Sequence, residues 1–367
     1  MQLEGGKIDN FSLFFLIIGF TIGSTTIISP TPGAGHDSWL AVLAGMLEGV
    51  CYAAVFLSLA RKFPGKNLIE IINLVFGRFW GKIISLGYLW YFLHLGSLVL
   101  RNFGDFFNLM VFPKTPMVII IGLTILVTAS AVRNGVEVIT RCSVVLVPLI
   151  LAAYIFDTLF IIPKMDLSKL LPVFDLPVKD FIKASHAAAT FPFGETILLL
   201  MTTAYVTDYK KTRSYFISAL IFISCFFSLA AARNTAVLGT SADIHLYPSY
   251  EAIRLIEVGS ILTRLEVIID FTIFFMGFVK IAVCYYGTAL GTAQLLNLRS
   301  YLPLVIPIGI IMTILSLTQF ESASANIEWA ANFYPYYSLP FQIGLPLLAL
   351  IITFFNKKTP QKAGESR

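Results

Sequence analysis

Ten long apolar runs constrain the fold more than any other feature of this 367-residue chain. They lie at approximately 11–29, 38–60, 82–109, 116–132, 141–162, 184–206, 214–238, 263–293, 301–319 and 335–355. A helix that crosses a bilayer needs about 20 mostly apolar residues, and open strands cannot satisfy their backbone groups in lipid. Since 57% of the residues are hydrophobic and only 13% are charged, the sequence excludes a soluble protein. It predicts an all-α membrane protein with ten transmembrane helices.

The distribution of Lys and Arg predicts the orientation of these helices. Basic residues are concentrated in alternate connections, as in the segment 61–82, whereas the connections 30–37 and 320–334 contain none. Connections rich in Lys and Arg stay in the cytoplasm. Both termini are therefore expected to be cytoplasmic, including a basic C-terminal tail at 356–367. We interpret the basic residues behind the net charge of +5 as signals of membrane orientation. Nucleic acid is therefore not an expected partner.

The runs divide into two sets of five, which predicts an internal repeat. The first repeat covers 1–162 and the second covers 184–355, with an outer connecting segment at 163–183 that is too polar to cross a membrane. An odd number of spans in each half turns the second copy upside down relative to the first. The third run of each half is the longest of its five, as expected for a tilted helix. The expected architecture is a five-plus-five inverted repeat, which is typical of secondary transporters.

The first helix of each half is predicted to be broken, and these breaks are the candidate ligand site. Glycine and proline lower the cost of leaving helical geometry, and free backbone groups at membrane depth are tolerated only where they line a cavity. The candidate ligand-binding residues are Gly19, Thr21, Gly23, Ser24, Thr25 and Thr26 in the first helix, and Thr190, Phe191, Pro192, Phe193, Gly194 and Glu195 in the sixth. The alternative for Gly19 and Gly23 is a GxxxG helix-packing face.

The direction of the half-helices predicts the chemistry of a ligand. If the first helix breaks near Gly23, its outer half begins there and presents the amides of residues 24–26, which favour a carboxylate. The outer half of the sixth helix ends with the carbonyls of residues 189–191, which favour an ammonium group. A zwitterionic amino acid fits both ends.

Four ionisable residues lie near the centres of apolar runs. Placing an ionisable side chain inside a membrane costs free energy, so each of them is expected to have a partner or a function. They are Glu48, His94, Glu195 and Lys280. Lys280 is either half of a buried ion pair or a fixed cation that stands in for a coupling ion. Glu195 either stabilises the positive end of a half-helix or takes a direct ligand or proton role. Glu48 pairs with Lys280 or stays neutral, and His94 is expected to bond to a neighbouring helix. All four are candidates for coupling or for a conformational switch.

Signatures of enzymes and of metal or cofactor sites are not found in the sequence. There is no HExxH, GxSxG or Walker motif, and none of the four histidines is followed by Asp five residues later. The four cysteines lie in separate apolar runs without CxxC spacing, so we interpret them as free thiols. We expect neither a cofactor nor a metal, and an enzyme is the least favoured of the functional classes.

Several segments carry a family resemblance. These are 7–24, 34–40, 63–70, 170–173 and 191–195. Together they resemble the B subunit of nutrient germinant receptors of spore-forming Gram-positive bacteria, and the similarity spans nearly the whole chain.

This resemblance implies a fold of the amino acid, polyamine and organocation transporter superfamily, in the inner membrane of the dormant spore. It implies partnership with a membrane A subunit and a lipoprotein C subunit in sensing a small germinant. The break in the first helix and the segment 191–195 then become the germinant site. The alternative is a stand-alone proton-coupled amino acid transporter, because one pocket serves both functions.

Overall fold

The computed structural model describes residues 3–255 and 266–355. Within these ranges the chain is almost entirely helical. The α-helices are α1 (Asn10–Thr25), α2 (Ser38–Lys62), α3 (Leu68–Phe106), α4 (Met117–Arg133), α5 (Val136–Ile161), α6 (Val178–Ala188), α7 (Leu200–Thr203), α8 (Tyr209–Leu238), α9 (Pro248–Arg254), α10 (Glu266–Leu295), α11 (Leu302–Thr318), α12 (Ala323–Asn332), α13 (Tyr334–Leu339) and α14 (Leu345–Phe355). Short π-helical and 3-10 turns continue several of them.

Six helical segments in the described ranges are long and apolar enough to cross a membrane. They are Gly35–Lys62, Leu68–Val111, Val136–Lys164, Tyr209–Leu238, Val267–Leu295 and Tyr334–Phe355. A seventh is counted if α11 and α12, which are bent by 98° at their junction, form one span. Helices α1 and α4 are apolar but shorter. The prediction of a multi-pass helical membrane protein is therefore confirmed. The predicted tail at 356–367 and the start of the run 263–293 lie outside the described residues.

Local side-chain chemistry explains where two of the central helices begin. The Asp9 carboxylate accepts a hydrogen bond from the Ser12 amide at 3.0 Å and caps α1. Asn67 and Glu70 form a capping box at the start of α3, in which each side chain accepts from the other residue's amide at 3.1 Å. Such caps satisfy amides that have no partner within the helix.

The core lies between α1, α3 and α10, which pack against one another. Large aromatic side chains fill it, among them Tyr88, Tyr91 and Phe92 of α3 and Tyr285 of α10. The outward faces of the peripheral helices expose large aliphatic side chains, such as Leu126 of α4 at 67%. This apolar outer surface suits lipid, since polar groups are expensive there.

The last residues of the predicted connecting segment 163–183 are helical, because α6 begins at Val178. The first turns of α6 are polar and exposed, so hydropathy alone misses them. Asp37, which precedes α2 and is 1% exposed, holds the rest of the connection. Its carboxylate accepts hydrogen bonds from the amides of Phe174 at 2.7 Å and Leu176 at 3.1 Å.

Replacing Asp37 by Ala should release this connection from the start of α2. Each charge-assisted hydrogen bond contributes about 1.5–3 kcal/mol, so we expect faster limited proteolysis within residues 163–177. Asp175→Ala is the matched control, because Asp175 is exposed in the same segment. Equal cleavage rates for both variants and the wild type would contradict the anchoring role of Asp37.

Candidate functional site

The predicted break in the sixth helix is confirmed. Helix α6 ends at Ala188, a π-helical turn follows at Ala189–Phe193, and the chain continues as a 3-10 helix at Gly194–Leu199. Phe191 has φ −128° and ψ 110°, far from helical values. The following residue, Pro192, lacks an amide donor and clashes with a regular preceding turn. The Thr190 carbonyl instead accepts a hydrogen bond from the Gln342 amide Nε2 at 2.9 Å.

The expected break in the first helix near Gly23 is wrong. Helix α1 runs without interruption through Gly19 and Gly23 to Thr25. The Ser24 carbonyl accepts from the amides of Ile27 at 3.1 Å and Ile28 at 2.9 Å. Residues 24–26 therefore form the carbonyl end of a helix, not the amide end that the sequence predicted for a carboxylate.

The glycines of α1 serve close helix packing, the alternative that the GxxxG pattern left open. A Cβ on Gly23 would lie 2.5 Å from the Cβ of Lys280 and 2.9 Å from the carbonyl oxygen of Met276. A Cβ on Gly19 would lie 3.2 Å from Val279. At Gly23, helices α1 and α10 approach so closely that only glycine fits, and this packing needs no break in α1.

A buried ion pair lies beside the broken sixth helix. The Lys280 ammonium on α10 is 2.5 Å from Oε2 of Glu195, and their side chains are 0% and 1% exposed. The other carboxylate oxygen, Oε1, accepts a hydrogen bond from the Tyr334 hydroxyl at 2.6 Å. Lys280 is therefore half of a buried ion pair, and this contact is compatible with the role of a fixed cation.

Aromatic rings and helix ends near Lys280 provide surroundings that favour a positive charge. The ammonium nitrogen lies 5.0 Å from the ring centre of Phe191 and 5.4 Å from that of Phe20, within the range of cation–π attraction. The carbonyl end of α1 packs against α10 at Gly23, and α6 ends just before Phe191. Helix C-termini favour positive charge. The Lys280 ammonium therefore lies among groups that favour a positive charge.

Tyr91, Tyr334 and Gln342 extend the network, and none of the motifs in the sequence indicated their role. The hydroxyls of Tyr91 and Tyr334 are 3.1 Å apart, and the Gln342 Nε2 donates to the Tyr91 hydroxyl at 2.9 Å. Each lies in or beside an apolar run. A Gln inside an apolar run is the sequence signal that could have identified Gln342. In the structure its side chain is 0% exposed.

A small cavity of about 20 Å³ adjoins the ion pair. Ser24, Asn102, Phe191, Glu195 and Asn326 contribute to its lining, with Trp329 and Tyr334 among the aromatic residues beside them. The Ser24 hydroxyl is buried and has no hydrogen-bond partner among the described residues. A space of this size holds about one water molecule, so the site is closed to any larger guest in this conformation.

The remaining candidates in the first and sixth helices have other contacts. The hydroxyls of Thr21, Thr25 and Thr190 donate to carbonyls within their own helical turns. Phe193 points away from the cavity, since its side chain fills the space at Gly49. The Gly194 position lies against the Gln342 side chain, and Thr26 lines a separate outer pocket.

Glu48 and His94 do not join the ion pair. Oε1 of Glu48 lies 2.8 Å from Nδ1 of His186 and also accepts from the Tyr52 hydroxyl. The alternative that Glu48 pairs with Lys280 is wrong, because its face of α2 meets α6. His94 stacks on Trp90 with 5.5 Å between ring centres, and no hydrogen bond to its Nδ1 is formed by the described residues. His94 also packs edge-to-face against the rings of Trp329 and Tyr337, which belong to neighbouring helices.

No group of three or more His, Cys, Asp or Glu residues within the described ranges is arranged to hold a metal ion. The four cysteines are free.

Comparisons with known proteins agree with this architecture. A family profile described as "Spore germination protein" matches residues 7–324. The chain is 28% identical over 366 residues to spore germination protein KB of Bacillus subtilis (strain 168), covering 98% of each chain.

Two solved transporters share the fold. One is MhsT in complex with L-phenylalanine, with a TM-score of 0.64, 13% identity and coverage of 96% of this chain and 89% of MhsT. The other is a substrate-bound Na⁺-coupled sialic acid symporter, with a TM-score of 0.66, 12% identity and coverage of 94% and 79%. At these identities the likeness concerns the fold.

Proposed function

Because this chain belongs to the spore germination protein family, we propose that it is the transporter-fold B subunit of a nutrient germinant receptor. The subunit binds a small germinant near the middle of the membrane, beside the Lys280–Glu195 pair. The observation that supports this proposal most is the buried pair at a helix break, with a small, mainly apolar cavity next to it. A buried ion pair is weak support for stability, whereas ionisable groups inside a membrane protein mark ligand and ion sites.

The ligand class that we propose is a small amino acid. The Ser24 hydroxyl in the cavity lining has no hydrogen-bond partner among the described residues, and it lies at the carbonyl end of α1, which favours an ammonium group. Lys280 does not line the cavity, so a ligand carboxylate would reach its ammonium only after Glu195 turns aside. Entry of a ligand larger than water requires the Phe191, Trp329 and Tyr334 side chains to move.

We also propose the finer architecture. Ten helices cross the membrane as an inverted repeat of 1–162 and 184–355, joined by the outer segment 163–183, and the tail 356–367 and the N-terminus are cytoplasmic. The similarity to two transporter structures supports this arrangement, as does the charge distribution. The proposed location is the spore inner membrane.

Ligand binding would act by shifting a conformational equilibrium that partner subunits detect. The proposed partners are a membrane A subunit and a lipoprotein C subunit. Lys280 takes the role of a fixed cation, because its ammonium lies beside the helix break, 5.0 Å from the ring centre of Phe191. A sensor of this kind needs no coupling ion to hold its ligand site together.

An uptake assay separates this proposal from the alternative, a proton-coupled amino acid transporter. The purified chain is reconstituted in proteoliposomes with an imposed proton gradient and a panel of radiolabelled L-amino acids. Saturable binding without accumulation is expected for a sensor. Gradient-dependent accumulation in the absence of other subunits would favour the transporter and contradict the proposal.

Glu195→Gln should alter the germinant response while the protein still inserts in the membrane. Glutamine keeps the shape of the side chain and accepts the hydrogen bond from Tyr334, but it removes the charge that faces Lys280. The response is measured as the germinant concentration for half-maximal germination, and membrane insertion is measured by immunoblot of spore membranes. A variant that is absent from the membrane would indicate a purely structural role for Glu195.

A further inference from the structure

A second pocket, separate from the ion pair, lies between the end of α2 and the start of α8. Its volume is about 360 Å³. Four basic residues line it, and no acidic residue does. They are Arg61, Lys66, Lys210 and Arg213. Apolar side chains form the rest of its wall, including Leu57 and Phe63, which are 5% and 7% exposed.

The positive charge of this pocket is largely uncompensated. Lys66 pairs with Glu70 at 3.0 Å. Asp208 is engaged with the Lys210 amide as the cap of α8 and lies 4.0 Å from Lys211. Arg61 and Arg213 have no ion-pair partner in the described part of the chain. Clustered cations of this kind repel one another unless an anion lies between them.

The pocket continues into an apolar surface. Arg213, Ile217 and Ile221 are spaced four residues apart on α8, so they share one face of the helix. Ile221 is 47% exposed. The same face therefore presents cations at the helix end and apolar side chains further into the span. This succession matches a phospholipid, whose phosphate lies at the membrane surface and whose acyl chains lie deeper.

We propose that this pocket binds the phosphate headgroup of an anionic phospholipid, with the acyl chains along α8. Basic pockets between membrane helices are suited to such headgroups, and the Arg guanidinium groups match phosphate geometry. An acidic protein segment would satisfy the charges but would leave the apolar face of α8 unused. The inference does not depend on the germinant-binding proposal, because it concerns a different part of the molecule.

The test is a titration of the purified full-length chain in detergent, followed by native mass spectrometry. The probes are dioleoylphosphatidylglycerol, dioleoylphosphatidylcholine and glycerol phosphate. The wild type should bind the phosphatidylglycerol in preference to both others. Arg61→Gln with Arg213→Gln should weaken that binding between about tenfold and about thirtyfold, since each basic residue contributes about a factor of five. High salt should weaken it as well.

The matched control is Arg133→Gln with Arg299→Gln, which removes the same charge from exposed sites outside the pocket. Equal losses of affinity for the phosphatidylglycerol in both double variants would overturn the proposal, and so would equal binding of the two lipids by the wild type. Binding of glycerol phosphate as tight as that of the lipid would assign a soluble anion instead. If the pocket variant binds lipid normally but loses a co-expressed partner subunit in co-purification, the pocket is a protein-docking site. If the double variant does not fold, Lys210→Gln alone is the second variant. Its affinity for the phosphatidylglycerol should fall about fivefold.

Discussion

Lys280→Met should destabilise the protein by about 3–5 kcal/mol, the largest effect expected of a single substitution in this site. The methionine fits the volume of the lysine stem but leaves the Glu195 carboxylate buried without its cation. Only the Tyr334 hydroxyl would still donate to it. The change is measured as a shift in the chemical unfolding midpoint in detergent micelles.

The double variant Lys280→Met with Glu195→Gln provides the control. Replacing both partners of a buried pair by neutral groups is often close to neutral for stability, so the double variant should recover most of the loss. Germination should nevertheless remain impaired, because the fixed charge at the ligand site is gone. A fully responsive double variant would show that the pair serves stability and not ligand sensing.

Gly23→Leu should cost about 2–3 kcal/mol, and occasionally more, because the packed core cannot absorb the added atoms. The Cβ alone would lie 2.5 Å from the Cβ of Lys280, and the nearby Met276 carbonyl belongs to the backbone of α10 and moves only with the helix. Separation of α1 from α10 would also displace the Lys280 ammonium from Glu195. We expect reduced stability together with loss of ligand binding, measured in the same detergent-solubilised preparation.

Gly122→Leu is the matched control for this prediction. Gly122 lies in the middle of α4, and a Cβ there would meet no atom within 4 Å. Leucine is also the better helix former, by somewhat less than about 1 kcal/mol, so this variant should be as stable as the wild type or slightly more stable. A similar loss in both glycine variants would mean that Gly23 acts through helix propensity rather than through close packing.

The elements that the sequence predicts well are those that depend on local chemistry. Apolar runs such as 38–60 become helices such as α2 because the backbone must be satisfied within each span. The sixth helix breaks at Phe191, where the following proline removes an amide donor, although Pro148 and Pro307 lie inside helices that stay continuous. The first helix shows the limit of this reasoning. Glycine permits a break but does not impose one, and the neighbour that uses Gly23 is more than 200 residues away in the sequence.

By itself, the sequence determined that this is a helical membrane protein with ionisable groups in its spans and a break in its sixth helix. Only the tertiary structure decided which charges meet: Lys280 lies against Glu195, whereas Glu48 turns to His186. Hydropathy places a side chain in a span, but contact between two spans depends on the rotation and depth of both helices. These are set by side-chain packing between segments that are distant in the chain, and no local pattern encodes them.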